Sequence, residues 1–313
     1  MKRDFFMLVY SHGRITYGFT AHYSMVYLGI ESLLNQITLR NKIYTVIVVL
    51  AMASLLSCNN ANDKKGTADS VKAVVAKPKP GDPIKYDSSK RYIFLTWDDS
   101  PQPPGTTNCK NVFHSEGVKA TFFAVGFNQV GPFKKRLIDS IRNGYPEFLL
   151  ANHSFTHGFN DKYAKFYAMP DSAYGDFMKN EKELQIAVKI IRLPGNNTWA
   201  SNGSIHGQKA ENPLVKRLDT TGYKIVGWDV EWGQNGKQKE PKESAHEMVK
   251  RINQKFEDGN TNEQNAIVIL SHDRLFEKKQ FADSLRQFIS LLKQDPRNVF
   301  ETIDHYPSIQ KNK

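Results

Sequence analysis

The sequence predicts an α/β fold built on a mostly parallel sheet. Two observations carry this. Between Tyr86 and Ile309, short apolar runs alternate with stretches whose apolar residues recur at helical spacing. In addition, the polar residues best suited to chemistry fall just after the apolar runs, which in α/β barrels is the catalytic end of the strands. Periodicity alone leaves the sheet open or closed. Neither an internal repeat nor a second domain is evident.

In chain order, Tyr92–Trp97 is an apolar run bounded by Asp, the pattern of a buried strand, and Val118–Val125 is a second; residues 109–117 between them read as a short helix. Pro132–Asn143 places Phe133, Leu137, Ile138 and Ile141 at helical spacing and stops at Gly144. Phe148–Ala151 is a short strand. Asp171–Lys189 is a helix and Ile190–Leu193 a strand ending in Pro194-Gly195. Pro213–Thr221 is a helix stopped by Gly222, followed by the strand Tyr223–Trp228. Glu243–Phe256 has Ala245, Met248, Val249, Ile252 and Phe256 on one face. Ala266–Leu270 is a strand, Lys279–Lys293 a helix and Val299–Ile303 a closing strand.

The chain has 313 residues, 40% hydrophobic and 24% charged, enough for a full core. Its net charge of +11 is scattered and is not paired with an aromatic platform, which argues against nucleic acid. Weak attraction to an anionic wall or membrane surface is the remaining reading. Near the N-terminus, Arg40-Asn41-Lys42 precede an apolar stretch, Ile43–Leu56, and then Ser57-Cys58. That stretch is shorter than the roughly 20 residues a membrane span needs. The pattern is that of a secretory signal. Residues 59–84 are polar, Lys-rich and then Pro-rich, as in a flexible tether. The expected organisation is a non-native upstream extension over 1–38, a signal over 39–57, a tether over 58–85 and one domain over 86–310.

Two short motifs carry the chemistry. Asp98-Asp99 closes YIFLTWDDSP, and His153 and His157 stand four residues apart in NHSFTH. One carboxylate and two imidazoles make a three-ligand metal centre with an open position, and the second carboxylate is free to act as a base. Adjacent residues on an extended chain point opposite ways, which suits such a division. The two imidazoles are expected on one side of a helical turn. Ser154 lacks a nucleophile elbow and is expected to orient its loop.

These residues resemble the polysaccharide deacetylases with a NodB-homology domain (carbohydrate esterase family four) over roughly Tyr92–Tyr306. Five motifs carry the resemblance: TWDDSP at 96–101, HSFTH at 153–157, RLPGNN at 192–197, GWDVEWG at 227–233 and ILSHD at 269–273. It implies a distorted (β/α) barrel with mostly parallel strands. It also implies Asp98 as catalytic base and Asp99, His153 and His157 as metal ligands. Arg192 would orient Asp98 and hold its pKa down. A carboxylate, Glu231 with Asp229 as rival, would anchor Arg192. The Trp232 indole would pack beside substrate, Leu270 would line an acetyl pocket, and His272 would be the general acid. Ser100, Gly195 and the surroundings of Glu231 depart from the family pattern. Asp273 has the alternative role of capping the segment after it.

The implied activity is hydrolytic removal of acetyl groups from a polysaccharide or oligosaccharide, with N-acetylglucosamine of peptidoglycan or chitin-like chains, or O-acetyl xylan, as substrates. Zinc is the first metal, with cobalt, nickel or manganese also accepted by such a donor set. The alternatives are an inactive lipid-anchored carbohydrate-binding protein and a metal hydrolase of a non-sugar amide. Cys58 matches a bacterial lipobox, which implies lipidation, a membrane partner and an envelope location. A monomer is expected. With Cys58 lipidated, Cys109 is a lone spectator thiol and no internal disulfide can form.

Overall fold

The computed structural model describes residues 78–236 and 239–311. The expected extension over 1–38, the signal over 39–57, the lipidation site Cys58 and most of the tether lie outside the described residues. No described helix is long and apolar enough to cross a membrane.

A ten-stranded, mostly parallel sheet organises the domain. Its central strand is β1 (Arg91–Ser100), followed by α1 (Gly105–Glu116), β2 (Ala120–Ala124), α2 (Gly131–Arg142) and β3 (Phe148–Asn152). Next come α3 (Tyr163–Ala168), α4 (Pro170–Leu184), β4 (Ile190–Ile191), β5 (Thr198–Ser201), β6 (Ser204–Gly207), α5 (Pro213–Thr220) and β7 (Lys224–Ile225). The chain continues through β8 (Val230–Glu231), the hairpin β9 (Gln234–Asn235) and β10 (Glu240–Pro241), α6 (Ala245–Glu257), β11 (Ala266–His272), α7 (Lys279–Leu292) and β12 (Asn298–Phe300). The strand order β6-β5-β7-β4-β3-β2-β1-β11-β8, with β12 beside the start of β1, is a curled half-barrel. This is the α/β barrel-like fold the sequence predicts, in its open form: among the described residues β8 and β6 end the sheet unpaired with each other.

Parallel strands buried on both faces need continuous apolar runs, and β1 has one: Ile93, Phe94, Leu95 and Trp97 are all fully buried. Trp97 meets Phe113 of α1 edge-on, with ring centroids 5.0 Å apart. Helix α1 starts four residues before the expected 109. Pro104 is its N-cap, and Gly105 is required there because a Cβ would lie 2.0 Å from the Asp273 carbonyl oxygen. Helix α4 ends earlier than the expected Lys189, at Gln185 in the left-handed region (φ 52°). The β5–β6 hairpin was not expected, although its Asn202-Gly203 turn, with φ of 56° and 84°, is the residue pair such two-residue turns favour.

The expected tether ends sooner than residue 85. The Gly81 amide donates to Asp304 Oδ2 (2.7 Å) and the Ile84 amide to Gln310 Oε1 (3.3 Å), so this segment is fastened to the domain. Because Trp97 fills the space between β1 and α1, Trp97→Ala is expected to cost about 3–5 kcal/mol. Urea unfolding would read this as a lowered midpoint with an unchanged slope. An unchanged midpoint would show that the indole is not a packing element.

Candidate active site

The site forms where β1, β3, β4 and β11 end. Register builds it: in the parallel β1–β11 pair, Asp98 stands opposite His272 and Thr96 opposite Leu270. At Asp99 the β1–β2 register shifts and the backbone turns left-handed (φ 72°), which re-aims its carboxylate. Asp98 Oδ1 accepts from Arg192 Nη1 (3.0 Å), and its Oδ2 lies 3.5 Å from His153 Nε2. Asp99 Oδ1 lies 3.1 Å from His157 Nε2 and 3.7 Å from His153 Nε2. Its Oδ2 is paired with the Arg274 guanidinium.

The imidazoles are pre-oriented. His153 Nδ1 sits 2.9 Å from the Arg192 carbonyl oxygen, which can only accept, so Nδ1 carries the proton and Nε2 is left with a lone pair. His157 Nδ1 sits 2.5 Å from Asp161 Oδ1, which fixes the ring with Nε2 toward Asp99. One donor atom each from Asp99, His153 and His157 lies within 4.8 Å of the others, and Asp99 Oδ1 is buried without a hydrogen-bond partner. Two imidazoles and a carboxylate are the donor set of a catalytic zinc-type centre. The residues present therefore fit a divalent cation.

The two rings meet with centroids 5.1 Å apart, but not on the expected helical turn. Ser154 and residues 157–161 adopt positive φ. Side chains fix this loop: Asp176 Oδ2 accepts from the Phe155 and Thr156 amides (2.9 and 3.1 Å), and Asn152 Oδ1 accepts from the Ser154 amide (3.0 Å). The Ser154 hydroxyl accepts from the Gly158 amide (3.0 Å), an orienting role.

Burial opposes charge on Asp99, yet His272, His157, His153 and Arg274 outweigh it and hold the carboxyl at about 2. For His153 burial, then His157, lower the pKa to about 3, keeping the ring neutral as a ligand must be. Asp98 departs from expectation. Burial pushes its carboxyl above the ordinary value, and Arg192 and His272 only partly offset that. Burial also lowers His272, against the pull of Asp99 and Asp98.

Arg192 is fully buried but is not anchored by a second carboxylate. It donates to Val226 and Gly227 carbonyl oxygens (3.2 and 2.8 Å) and to Thr96 Oγ1 (2.7 Å), with its guanidinium 4.4 Å above the Phe123 ring. Among the described residues Glu231 makes no hydrogen bond to it and acts only through its field. Asp229 instead accepts from the Asn262 and Val268 amides, both at 2.7 Å. Trp232 is also corrected: its indole is fully buried against Phe276 and Phe288 and donates to the Glu243 carbonyl (2.8 Å), so it belongs to the core. Leu270 is buried two residues before His272, on the same face of β11. Cys109 is buried, and burial pushes its thiol well up, as befits a spectator.

Asp161, Asp176 and Arg274 were not anticipated. Asp161 follows His157 by four residues, a spacing that could have been read; Asp176 is remote in sequence and left no signal. Asp99, His157, Asp161, Tyr163, Phe127 and Arg274 line a groove of about 710 Å³ over the site.

Residues 85–190 match the polysaccharide deacetylase family, a span that includes Asp98, Asp99, His153 and His157 and stops just short of Arg192. The likeness to that family rests on this matched span, which holds the first half of the domain. Its fold is shared with a CE4 esterase from Streptococcus mutans, at 23% identity over 68% of this chain and 86% of that one, with a TM-score of 0.51. Also similar are a peptidoglycan N-acetylglucosamine deacetylase catalytic domain from Eubacterium rectale (22% identity, 74% and 94% covered, TM-score 0.49) and PdaA of Bacillus subtilis, a family 4 carbohydrate esterase (20%, 70% and 81%, 0.49).

Ser100, one of the departures from the family pattern, has a partner here. Its hydroxyl donates to Asp273 Oδ2 (2.5 Å), as does Thr106. The Asp273 side chain thus turns to these hydroxyls rather than capping the segment after it. Burial raises Asp273 to about 7, against those hydroxyls. Between its ordinary value of 3.8 and about 7, the folded protein holds a proton that the unfolded chain has released, so this group's contribution to stability falls as pH rises through that window. Asp273→Asn is expected to gain stability relative to wild type between pH 5 and pH 8. A difference that stays constant across that range in urea unfolding would refute the assignment.

Proposed function

We propose that this protein is a metal-dependent deacetylase that hydrolyses acetyl groups from a polysaccharide or oligosaccharide. The observation that carries this reading is the convergence of Asp99, His153 and His157 donor atoms beside Asp98, which Arg192 holds. A divalent cation held by those three residues, zinc first, would polarise the acetyl carbonyl and make water more acidic.

This chain's own groups supply the proton transfers. Asp98 is held by one oxygen and offers the other, Oδ2, to the centre. Burial makes it a stronger base than an exposed aspartate, suited to taking a proton from the attacking water. His272, its neighbour across β1 and β11, gives a proton to the departing amine or hydroxyl. Its lowered pKa makes the protonated ring a readier donor. Leu270, on the same face, provides an apolar neighbour for the acetyl methyl.

N-acetylglucosamine glycans of the peptidoglycan or chitin type, and O-acetyl xylan, are the substrate classes. The basic, apolar and Cys pattern over residues 40–58 supports an envelope location with a lipid anchor at Cys58.

Acetate release from acetylated glucosamine oligomers and from acetylated xylan, with chelator and with zinc restored, tests the reading. Release that chelator abolishes and zinc restores is expected. No release from either class by protein with bound metal would reject it. Asp98→Asn is expected to keep metal binding and to lose about 10²–10⁴-fold in kcat. Full turnover in that variant would remove Asp98 as the base.

A further inference from the structure

The two adjacent carboxylates of the site share one arrangement. Each has one oxygen taken by an arginine and the other turned toward the imidazoles. For Asp98 the arginine is Arg192, fully buried on the floor of the site. For Asp99 it is Arg274, whose side chain is 24% exposed and lines the groove. Asp99 Oδ1 is thereby left facing His153 and His157, while Oδ2 is occupied.

Arg274 is itself held in place. It lies in the turn Asp273–Phe276 directly after β11. Helix α1 approaches that turn so closely that Gly105 admits no Cβ, which would meet the Asp273 carbonyl at 2.0 Å and the Arg274 amide nitrogen at 3.3 Å. The Asp273 side chain fixes the same turn from below through Ser100 and Thr106. At its outer end, Arg274 Nε donates to Gln234 Oε1 (3.3 Å) from the β9–β10 hairpin. A guanidinium fork suits this task, because it occupies one carboxylate oxygen in a fixed direction.

The geometry points to Arg274 as a positioning residue for the metal ligand Asp99: by holding Oδ2 it presents Oδ1 alone to the cation and keeps Asp99 a one-oxygen ligand. The groove side of the centre then stays open for water and substrate. This inference rests on the metal-centre reading above. It also makes a prediction opposite in sign to simple charge. A nearby cationic side chain repels a dication, so charge alone would tighten metal binding when Arg274 is neutralised. Loss of orientation would weaken it.

The test is the zinc dissociation constant of metal-stripped protein, measured by competition with a chromophoric chelator, for wild type, Arg274→Gln and Arg274→Lys. Arg274→Gln is expected to bind zinc about 10–100-fold more weakly. Arg274→Lys, which keeps a donor and the charge, should lose less. In cobalt-substituted protein, Arg274→Gln frees Oδ2 to ligate, so weaker visible absorption, the mark of a higher coordination number, is expected. The unfolding midpoint of each metal-stripped variant establishes that it folds. Equal or tighter zinc binding by folded Arg274→Gln, or an unchanged cobalt spectrum, would overturn the inference and leave the metal centre standing. Failure of wild type to bind zinc would instead overturn the metal centre itself.

Discussion

A guanidinium buried without solvent ties the chemistry of this domain together. Arg192 reaches from the end of β4 to Thr96 and Asp98 on β1 and to the carbonyls of Val226 and Gly227, and its own carbonyl accepts from His153. A buried charge is tolerated only when its donors are satisfied. Here the satisfying groups are on the strand ends that carry Asp98 and lie beside His153. Removing one member of the Arg192–Asp98 pair would strand the other's charge in the interior, so positioning and stability are coupled at this point.

The surrounding backbone is held in unfavourable conformations to the same end. Asp99, Ser154 and His157 all have positive φ, which costs a residue with a Cβ about 1–2 kcal/mol. Such conformations persist only where neighbours over-determine them. Asp176 and Asn152 do this for the histidine loop, and Asn180 links that loop's base to β2 by donating to both Asn152 Oδ1 and the Ala124 carbonyl. The loop's shape is thus set by polar side chains on α4 and at the end of β3.

The sequence made the catalytic end of the fold legible because register and motif act locally. An apolar run followed by paired aspartates, and a second followed by spaced histidines, already specify which strand ends converge. Residues that act across the fold were less visible. Asp176 and Arg274 are unremarkable surface-type residues until the sheet curls and brings them to the loop and to Asp99. Glu231-Trp232 matched a motif in type but not in place. Directly after the short strand β8 the indole turns into the core, and the arginine that Glu231 was expected to anchor is held by Asp98, Thr96 and two carbonyls instead. The β5–β6 hairpin could have been read from Asn202-Gly203, but its flanking strands are too short to show a period.

The docking of residues 81–84 beside Asp304 and Gln310 gives the domain a direction. Pro80 and Gly81 line one hollow with Val188, Lys189 and Gly222, which precede the parallel strands β4 and β7. The start of the described chain is therefore at the entry ends of the strands, and the groove is at their exit ends. From residue 91 to residue 98, β1 alone separates the two by about 23 Å at roughly 3.3 Å per residue. The described chain therefore enters the domain on the face opposite the groove.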